Sequence, residues 1–188
     1  MSELECLEQI LAEPLGYLHP QRTVVSAEFD GIEARTVLNR ILLEGLGLQG
    51  PWPSVPLTGV TKQWVRYWRQ LPYIARLMGA YRLMPELARG AVLLGLPGSV
   101  RRFASFDLGP RGGLPIERAP VSMAQVEAAG LNALWGWRDQ VSHLLLERLD
   151  LQFSEPVVRL HQQWPIPQPA PTLFFLAVQH ARLHPNPD

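Results

Sequence analysis

Apolar positions recur every three or four residues in a series of short runs, and prolines and glycines cut between them. Such spacing gathers apolar side chains on one face of a helix. Ser2, with Glu5 three residues on, predicts a capping box, after which Leu4, Leu7, Ile10 and Leu11 share a stripe until Pro14. A second helix is expected from Asp30, with Glu33 at the reciprocal position. It places Ala34, Val37, Leu38, Ile41 and Leu42 on one side before Gly45 and Gly47 end it. Thr61 is placed to cap a helix through about Leu71, Pro72 suits the first turn of the next, and Pro85 opens a third running to Gly95. SVRRFASF predicts another. Ser122 and Gln125 make a further capping box and open the longest expected helix, with Val126, Leu134, Trp137, Val141, Leu144, Leu145 and Leu149 at helical spacing. Pro156 lies near the first turn of a short helix ending at Trp164, and TLFFLAVQHARL forms the last.

The connectors are as marked as the helices. PLGYLHPQRTVVS carries Pro14, Gly16 and Pro20 as breakers and Tyr17 and Leu18 as packing anchors, with at most a brief strand from Thr23 to Val25. QGPWPSVPLTG is too rich in proline for regular helix and predicts a stiff connector anchored by Trp52. PRGGLPIERAP is a loop and a candidate hinge, PIPQPAP a polyproline-like spacer, and HPNPD a frayed tail. No fixed repeat, sustained heptad or alternating strand pattern is visible. The expected fold is all-α and predominantly helical. A single compact domain over residues 1–188 contains about eight short-to-medium helices with Pro/Gly-rich connectors, and residues 179–188 include the frayed tail.

Composition supports a real core: a chain of this size hides roughly 70% of its unfolded surface, and 47% of its residues are hydrophobic against 18% charged. Cys6 is the single cysteine, so no intramolecular disulfide can form and nothing points to an oxidising compartment. MSELECLEQI begins with acids rather than a basic signal-peptide region, and no apolar run is long enough to span a bilayer. A cytosolic protein without membrane insertion is expected. Net charge is zero, yet residues 60–118 hold ten Lys/Arg against Glu86, Asp107 and Glu117, and the remainder carries the opposite excess. A molecule with segregated charge can dock one acidic partner and present acidic ends to another. The plainer alternative is that folding intermixes these charges.

Catalysis needs a constellation, and the candidates are thin. His180 and His184 stand at i and i+4 but lack the glutamate of a zinc-protease helix and adjoin the tail. His143 and His161 sit within apolar helical patterns without a nucleophile or acid in a known motif. Cys6 lies among Leu4, Leu7 and Ile10 as a small hydrophobe. GPRGGLP lacks the lysine and hydroxyl of a phosphate loop, and Asp139, Glu147 and Asp150 are spaced as solvated charges. No catalytic residue, cofactor site or metal ligand is assigned. The basic-aromatic stretch WVRYWRQLPYIARLMGAYRLMPELAR could stack single-stranded nucleic acid. Pro72 limits any single long helix there, however, and an apolar core wall overlaid by arginine stems needs fewer assumptions. Neither nucleic acid nor a membrane surface is expected as a ligand. Arg66, Arg69, Arg76 and Arg82 remain candidates for a protein-docking face, with the first three at spacings that can share one side of a helix.

Three stretches resemble one family. PLGYLHPQR resembles the Tyr-Leu-His segment near the start of the K subunits of type III secretion sorting platforms, the SctK family. LMGAYRLMPELARGAVLLGLPGSVRRFASF is similar to that family's central region, and NALWGWRDQVSHLLLERLDLQFSEP continues the likeness. The resemblance implies a non-enzymatic cytosolic adaptor, peripheral to the inner membrane once assembled in an injectisome. It would link the cytoplasmic domain of the ring protein SctD to the pod protein SctQ, and through SctL to the SctN ATPase. Nucleotide hydrolysis then belongs to another subunit, in keeping with the missing Walker motif. The resemblance also makes Tyr17, Leu18 and His19 candidate partner contacts. The rival expectation is a helical regulatory or chaperone-like module that binds an amphipathic peptide in an apolar groove.

Overall fold

Eleven α-helices are present among the described residues: α1 (Glu3–Ala12), α2 (Ile32–Gly45), α3 (Gly59–Arg66), α4 (Leu71–Arg82), α5 (Met84–Ala88), α6 (Val92–Gly95), α7 (Gly98–Ala104), α8 (Met123–Trp135), α9 (His143–Leu149), α10 (Glu155–Gln162) and α11 (Pro171–Leu183). Short 3-10 turns occupy Pro14–Gly16, Ala27–Phe29, Trp68–Gln70 and Asp150–Gln152. The computed structural model describes residues 2–48, 57, 59–89, 92–111, 113–116 and 120–185. The fold is all-α, and no strand occurs among the described residues, Thr23–Val25 included. The expected anchor Trp52 and its flanking prolines lie outside the described residues.

Two capping boxes form as the sequence predicts. Glu5 N–H donates to Ser2 Oγ at 3.2 Å while Ser2 N–H donates to Glu5 Oε2 at 2.8 Å, and Ser122 and Gln125 repeat the exchange at 3.2 and 2.8 Å. Each satisfies two amide donors that a helix start leaves open, worth about 1 kcal/mol. The box expected at Asp30 does not form. The Asp30 carboxylate instead accepts from Arg35 Nη1 at 2.7 Å, and α2 starts behind Gly31 without a side-chain cap. Gly47, at φ 64°, ends α2 in the left-handed conformation that lets Leu48 N–H return to Leu43 O at 2.9 Å. Thr61 is not a cap either: it lies inside α3, buried, and its hydroxyl donates to Gln140 O at 3.1 Å.

The helix expected from Ser122 to Leu149 is two helices. It breaks after Trp135 and resumes at His143, across the exposed run Arg138, Asp139 and Gln140. Trp137 and Val141 are both buried, so apolar periodicity runs through the break and hides it from sequence. The helix expected from Pro85 to Gly95 likewise divides, into α5 and α6.

Contacts gather into two units, Met1–Arg69 with Arg138–Glu155 and Gln70–Trp137 with Pro156–Asp188. In the first, α1 packs on α3, burying Leu7, Ile10 and Leu11 with Val60, Trp64 and Val65. Leu4, expected on the same stripe, is 60% exposed. Arg148 of α9 is buried and donates to Leu48 O (2.6 Å), Leu144 O (3.1 Å) and Leu11 O (3.4 Å), so three chain segments share one guanidinium. Burial lowers its pKa. The stripe expected to face inward on α2 is not the packed one. Val37 and Ile41 are 44% and 55% exposed, while Asn39 is buried with its Oδ1 accepting from Leu15 N–H at 2.9 Å. One long-range hydrogen bond to the Pro14–Gly16 turn therefore sets the rotation of the helix.

In the second unit α8 is central: every residue from Ala128 to Leu134 is buried, as in a helix surrounded on all sides. Its most extensive partner is α4, against which α7 and α11 also pack. The two backbones touch where Gly79 faces Val126 O and Gly130 faces Ala75 O, and a Cβ on either glycine would overlap those carbonyl groups. Aromatic residues of the basic stretch build core, with Trp64, Trp68 and Tyr81 all buried.

Gly130→Ala is expected to destabilise the second unit by about 3 kcal/mol or to prevent its folding, because two helix backbones must separate. Gly45→Ala, with nothing within 4 Å of the added Cβ, should be neutral or stabilising by up to about 1 kcal/mol. Urea unfolding of the two variants checks the contrast.

Candidate docking site

Hydrogen bonding separates the four candidate arginines. Arg66 Nη2 pairs with Glu3 Oε1 at 3.1 Å, beside Lys62 at 3.5 Å from the same carboxylate, and all three side chains are substantially solvated. Arg76 Nη2 pairs with Glu127 Oε1 at 2.7 Å. Arg82 Nη1 turns inward to Ala129 O (2.9 Å) and Asn132 Oδ1 (3.1 Å), and burial lowers its pKa. Arg69 is exposed and has neither an ion pair nor a hydrogen bond among the described residues. The common helical face expected for Arg66, Arg69 and Arg76 does not exist. The break at Tyr67 and the 3-10 turn at Trp68–Gln70 end the register, leaving Arg66 and Arg69 in the first unit and Arg76 and Arg82 in the second.

Arg69 instead lines a cleft of about 530 Å³ in the first unit, with Ala12, Glu13, Gly16, Ile32, Arg35, Thr36, Asn39, Arg40 and Leu43. This volume falls in the range of ligand sites. Its guanidinium lies over the 3-10 turn, where a Cβ on Gly16 would sit 3.5 Å from Nη2. Helical spacing on α2 places Arg35, Thr36, Asn39, Arg40 and Leu43 along one wall. Arg40 is exposed and, like Arg69, has no partner among the described residues. Arg35 is held by Asp30, and Glu13 accepts from Gln9 Nε2 at 3.0 Å. The polar row on α2 was visible in the sequence. Its meeting with Arg69 was not, because 29 positions separate Arg40 from Arg69 and no local pattern joins them.

The other residues singled out by sequence face inward or outward as follows. Tyr17 Oη donates to Ile10 O at 2.8 Å, its ring meets Trp68 edge-on at 5.3 Å, and burial pushes its phenol well above the usual range. Leu18 is half-buried, and His19 N–H donates to Leu151 O at 2.8 Å. The Tyr17–His19 segment thus packs the first unit together. His143 is exposed and pairs with Glu147 at 3.2 Å. His161 is buried and stacks on Trp135 at 5.4 Å, and burial lowers its pKa to about 4. His180 Nε2 donates to Ser99 O at 3.0 Å, with His184 at 4.6 Å between ring centroids; burial, then the neighbouring His184, lowers its pKa. No cluster of three metal-ligating side chains occurs among the described residues. In the glycine loop, Arg111 donates to Ala104 O and Phe106 O and lies 4.7 Å above the Tyr81 ring, so its charge is spent on the chain itself.

Comparison with known proteins adds one consistent result. A family model described as bacterial type III secretion apparatus protein (OrgA_MxiK) matches residues 7–183. The chain is similar to the oxygen-regulated invasion protein OrgA of Salmonella typhimurium, in strains 14028s, SL1344 and LT2. Identity to each is 30% over 182 residues, which cover 95% of this chain and 88% of the relative. No solved structure matches.

The buried histidine makes stability depend on pH. His161 folds in its neutral form, so the unfolded chain binds the extra proton between its ordinary pKa and about 4. Stability is therefore full above about pH 6.5 and falls as pH is lowered from there toward about 4, by an amount on the order of 3 kcal/mol. In His161→Leu the slope of unfolding free energy between about pH 6.5 and 5 should flatten. Urea titrations at a series of pH values check it, and an unchanged slope would assign the effect elsewhere.

Proposed function

Since the chain belongs to the bacterial type III secretion apparatus family (OrgA_MxiK), we propose that it serves as a cytosolic adaptor of the injectisome sorting platform. In this role it links the cytoplasmic domain of the inner-membrane ring protein SctD to the pod protein SctQ, and so, through SctL, to the SctN ATPase. The observation that carries the reading is the extent of the match, residues 7–183, which leaves almost none of the chain for an added activity. Its chemistry is consistent with a protein-binding rather than a catalytic role. The titratable side chains with altered pKa values are buried packing groups, and no helix among the described residues is long and apolar enough to cross a membrane. A position peripheral to the inner membrane follows from the proposed contact with SctD.

Of the arginines proposed to form the polar part of the docking face, Arg69 is the one with neither an ion pair nor a hydrogen bond among the described residues. Its contribution should be electrostatic and weaken as salt rises.

Full-length tagged chain, mixed with the SctD cytoplasmic domain and SctQ, should retain both through purification. Cross-linking mass spectrometry then maps the two contact faces. Retention of neither, with amphipathic segments of exported proteins captured instead, overturns the adaptor in favour of a chaperone-like module.

A further inference from the structure

We propose that the cleft between the end of α1, the Pro14–Gly16 turn, α2 and Arg69 is the seat of an acidic segment of a partner protein, with Arg40 and Arg69 as its charge-reading residues. This rests on the adaptor reading and gives it a location.

Donors outnumber acceptors in the cleft. Arg40 and Arg69 each bring an exposed guanidinium that nothing in the described chain neutralises. Asn39 adds a third donor: the residue is 8% exposed, its Oδ1 is committed to Leu15 N–H, and its Nδ2 makes no hydrogen bond among the described residues. With its Oδ1 committed to Leu15, Asn39 presents only a donor to a ligand in the cleft it lines. Against the two guanidiniums stands one acid on the wall, Glu13, whose Oε2 accepts from Gln9 Nε2 and whose charge remains, so the cleft keeps an excess of positive charge. The complementary ligand is a carboxylate, which accepts two parallel bonds from a guanidinium and a further one from an amide.

Size and lining favour a peptide over a small anion. A volume of about 530 Å³ exceeds what one phosphate or carboxylate fills, and Ile32, 87% exposed, stands with Leu43 and Ala12 among the lining residues to receive an apolar side chain. An acidic segment with an aliphatic residue beside its carboxylates matches both the donors and this apolar surface. Such recognition is read as bidentate pairs with Arg, for which lysine is no substitute.

The test measures binding of the SctD cytoplasmic domain and of SctQ to three full-length chains: wild type, Arg40→Glu/Arg69→Glu, and Arg101→Glu/Arg102→Glu. The last pair is exposed and lies in the other unit. The cleft variant should bind one partner at least about tenfold more weakly at low salt, with the deficit narrowing as salt rises, while the control pair stays within about threefold of wild type. Arg40→Gln/Arg69→Gln, which removes charge without reversing it, should fall between. Thermal melts show whether each chain is folded. Wild-type affinity in the cleft variant overturns the proposal while leaving the adaptor reading standing. Equal loss in both double variants overturns it in favour of general electrostatic attraction. Displacement of the partner by inorganic phosphate well below about 1 mM, at constant ionic strength, overturns it in favour of a small-anion site. Wild-type chain that binds neither partner overturns both readings together.

Discussion

The contact between helix backbones at Gly79 and Gly130 is the constraint from which the second unit follows. With no side chain between them, α4 and α8 approach until glycine meets carbonyl, and Ala75, Ala80, Ala128, Ala129 and Ala133 line the surrounding surface as fully or almost fully buried residues. Close approach enlarges the dispersion contact of every neighbouring side chain. It also leaves α8 surrounded, and a surrounded helix cannot carry an unsatisfied polar group cheaply. Asn132 is the polar residue in that position. Its Oδ1 accepts from Arg82 and its Nδ2 donates to Pro165 O at 3.2 Å, which ties α4 and the α10–α11 connector to the same point. Arg82 is thereby drawn into the structure.

The first unit is organised differently, by polar side chains that close helix ends. Arg148 takes Leu11 O at the end of α1 and Leu48 O past the end of α2, carbonyls that a helix terminus leaves without an internal donor. Arg22 does the same for Asp150 O and Phe153 O, at 3.0 and 2.7 Å. Tyr17 serves Ile10 O, and Asn39 serves Leu15 N–H. These bonds link segments far apart in sequence around a modest apolar core, and hydrogen bonds to charged groups are among the stronger ones available for that purpose. The cleft is a by-product of this plan. α2 is turned so that Asn39 reaches the Pro14–Gly16 turn, which leaves its arginine row beside the turn rather than packed beneath it.

Local chemistry in the sequence specified helix starts well where the capping partner was free to act, at Ser2 and Ser122, and failed at Asp30, where Arg35 competes for the carboxylate. Periodicity located α4 and its buried face but joined α8 to α9, since Trp137 and Val141 keep the spacing while the backbone between them turns. Periodicity also chose the wrong face of α2, because the deciding interaction is a hydrogen bond across 24 residues, invisible to any local window. The same limit applies to the site. A helical net aligns Arg66 with Arg69 and Arg76 only if the helix continues, and it stops at Tyr67. What recognition by resemblance added was the family; it could not say which arginine is spent internally.

Charge that is already paired is a poor instrument of recognition. For Arg66 or Arg76 to engage a partner, Glu3 or Glu127 must first be released, so the gain is the difference between two pairings of similar strength. For Arg82 the exchange is worse, because the guanidinium would abandon a buried carbonyl and a buried amide. Arg40 and Arg69 have no partner among the described residues to give up. The zero net charge of the whole chain conceals this distinction entirely. Two molecules of identical composition, one with these guanidiniums matched internally and one without, would have the same net charge and different capacities to hold a carboxylate. How the fold allocates its acids thus decides which cations stay available: Glu3, Asp30, Glu127 and Glu147 are taken by Arg66, Arg35, Arg76 and His143, while Arg40 and Arg69 of the cleft have no partner among the described residues.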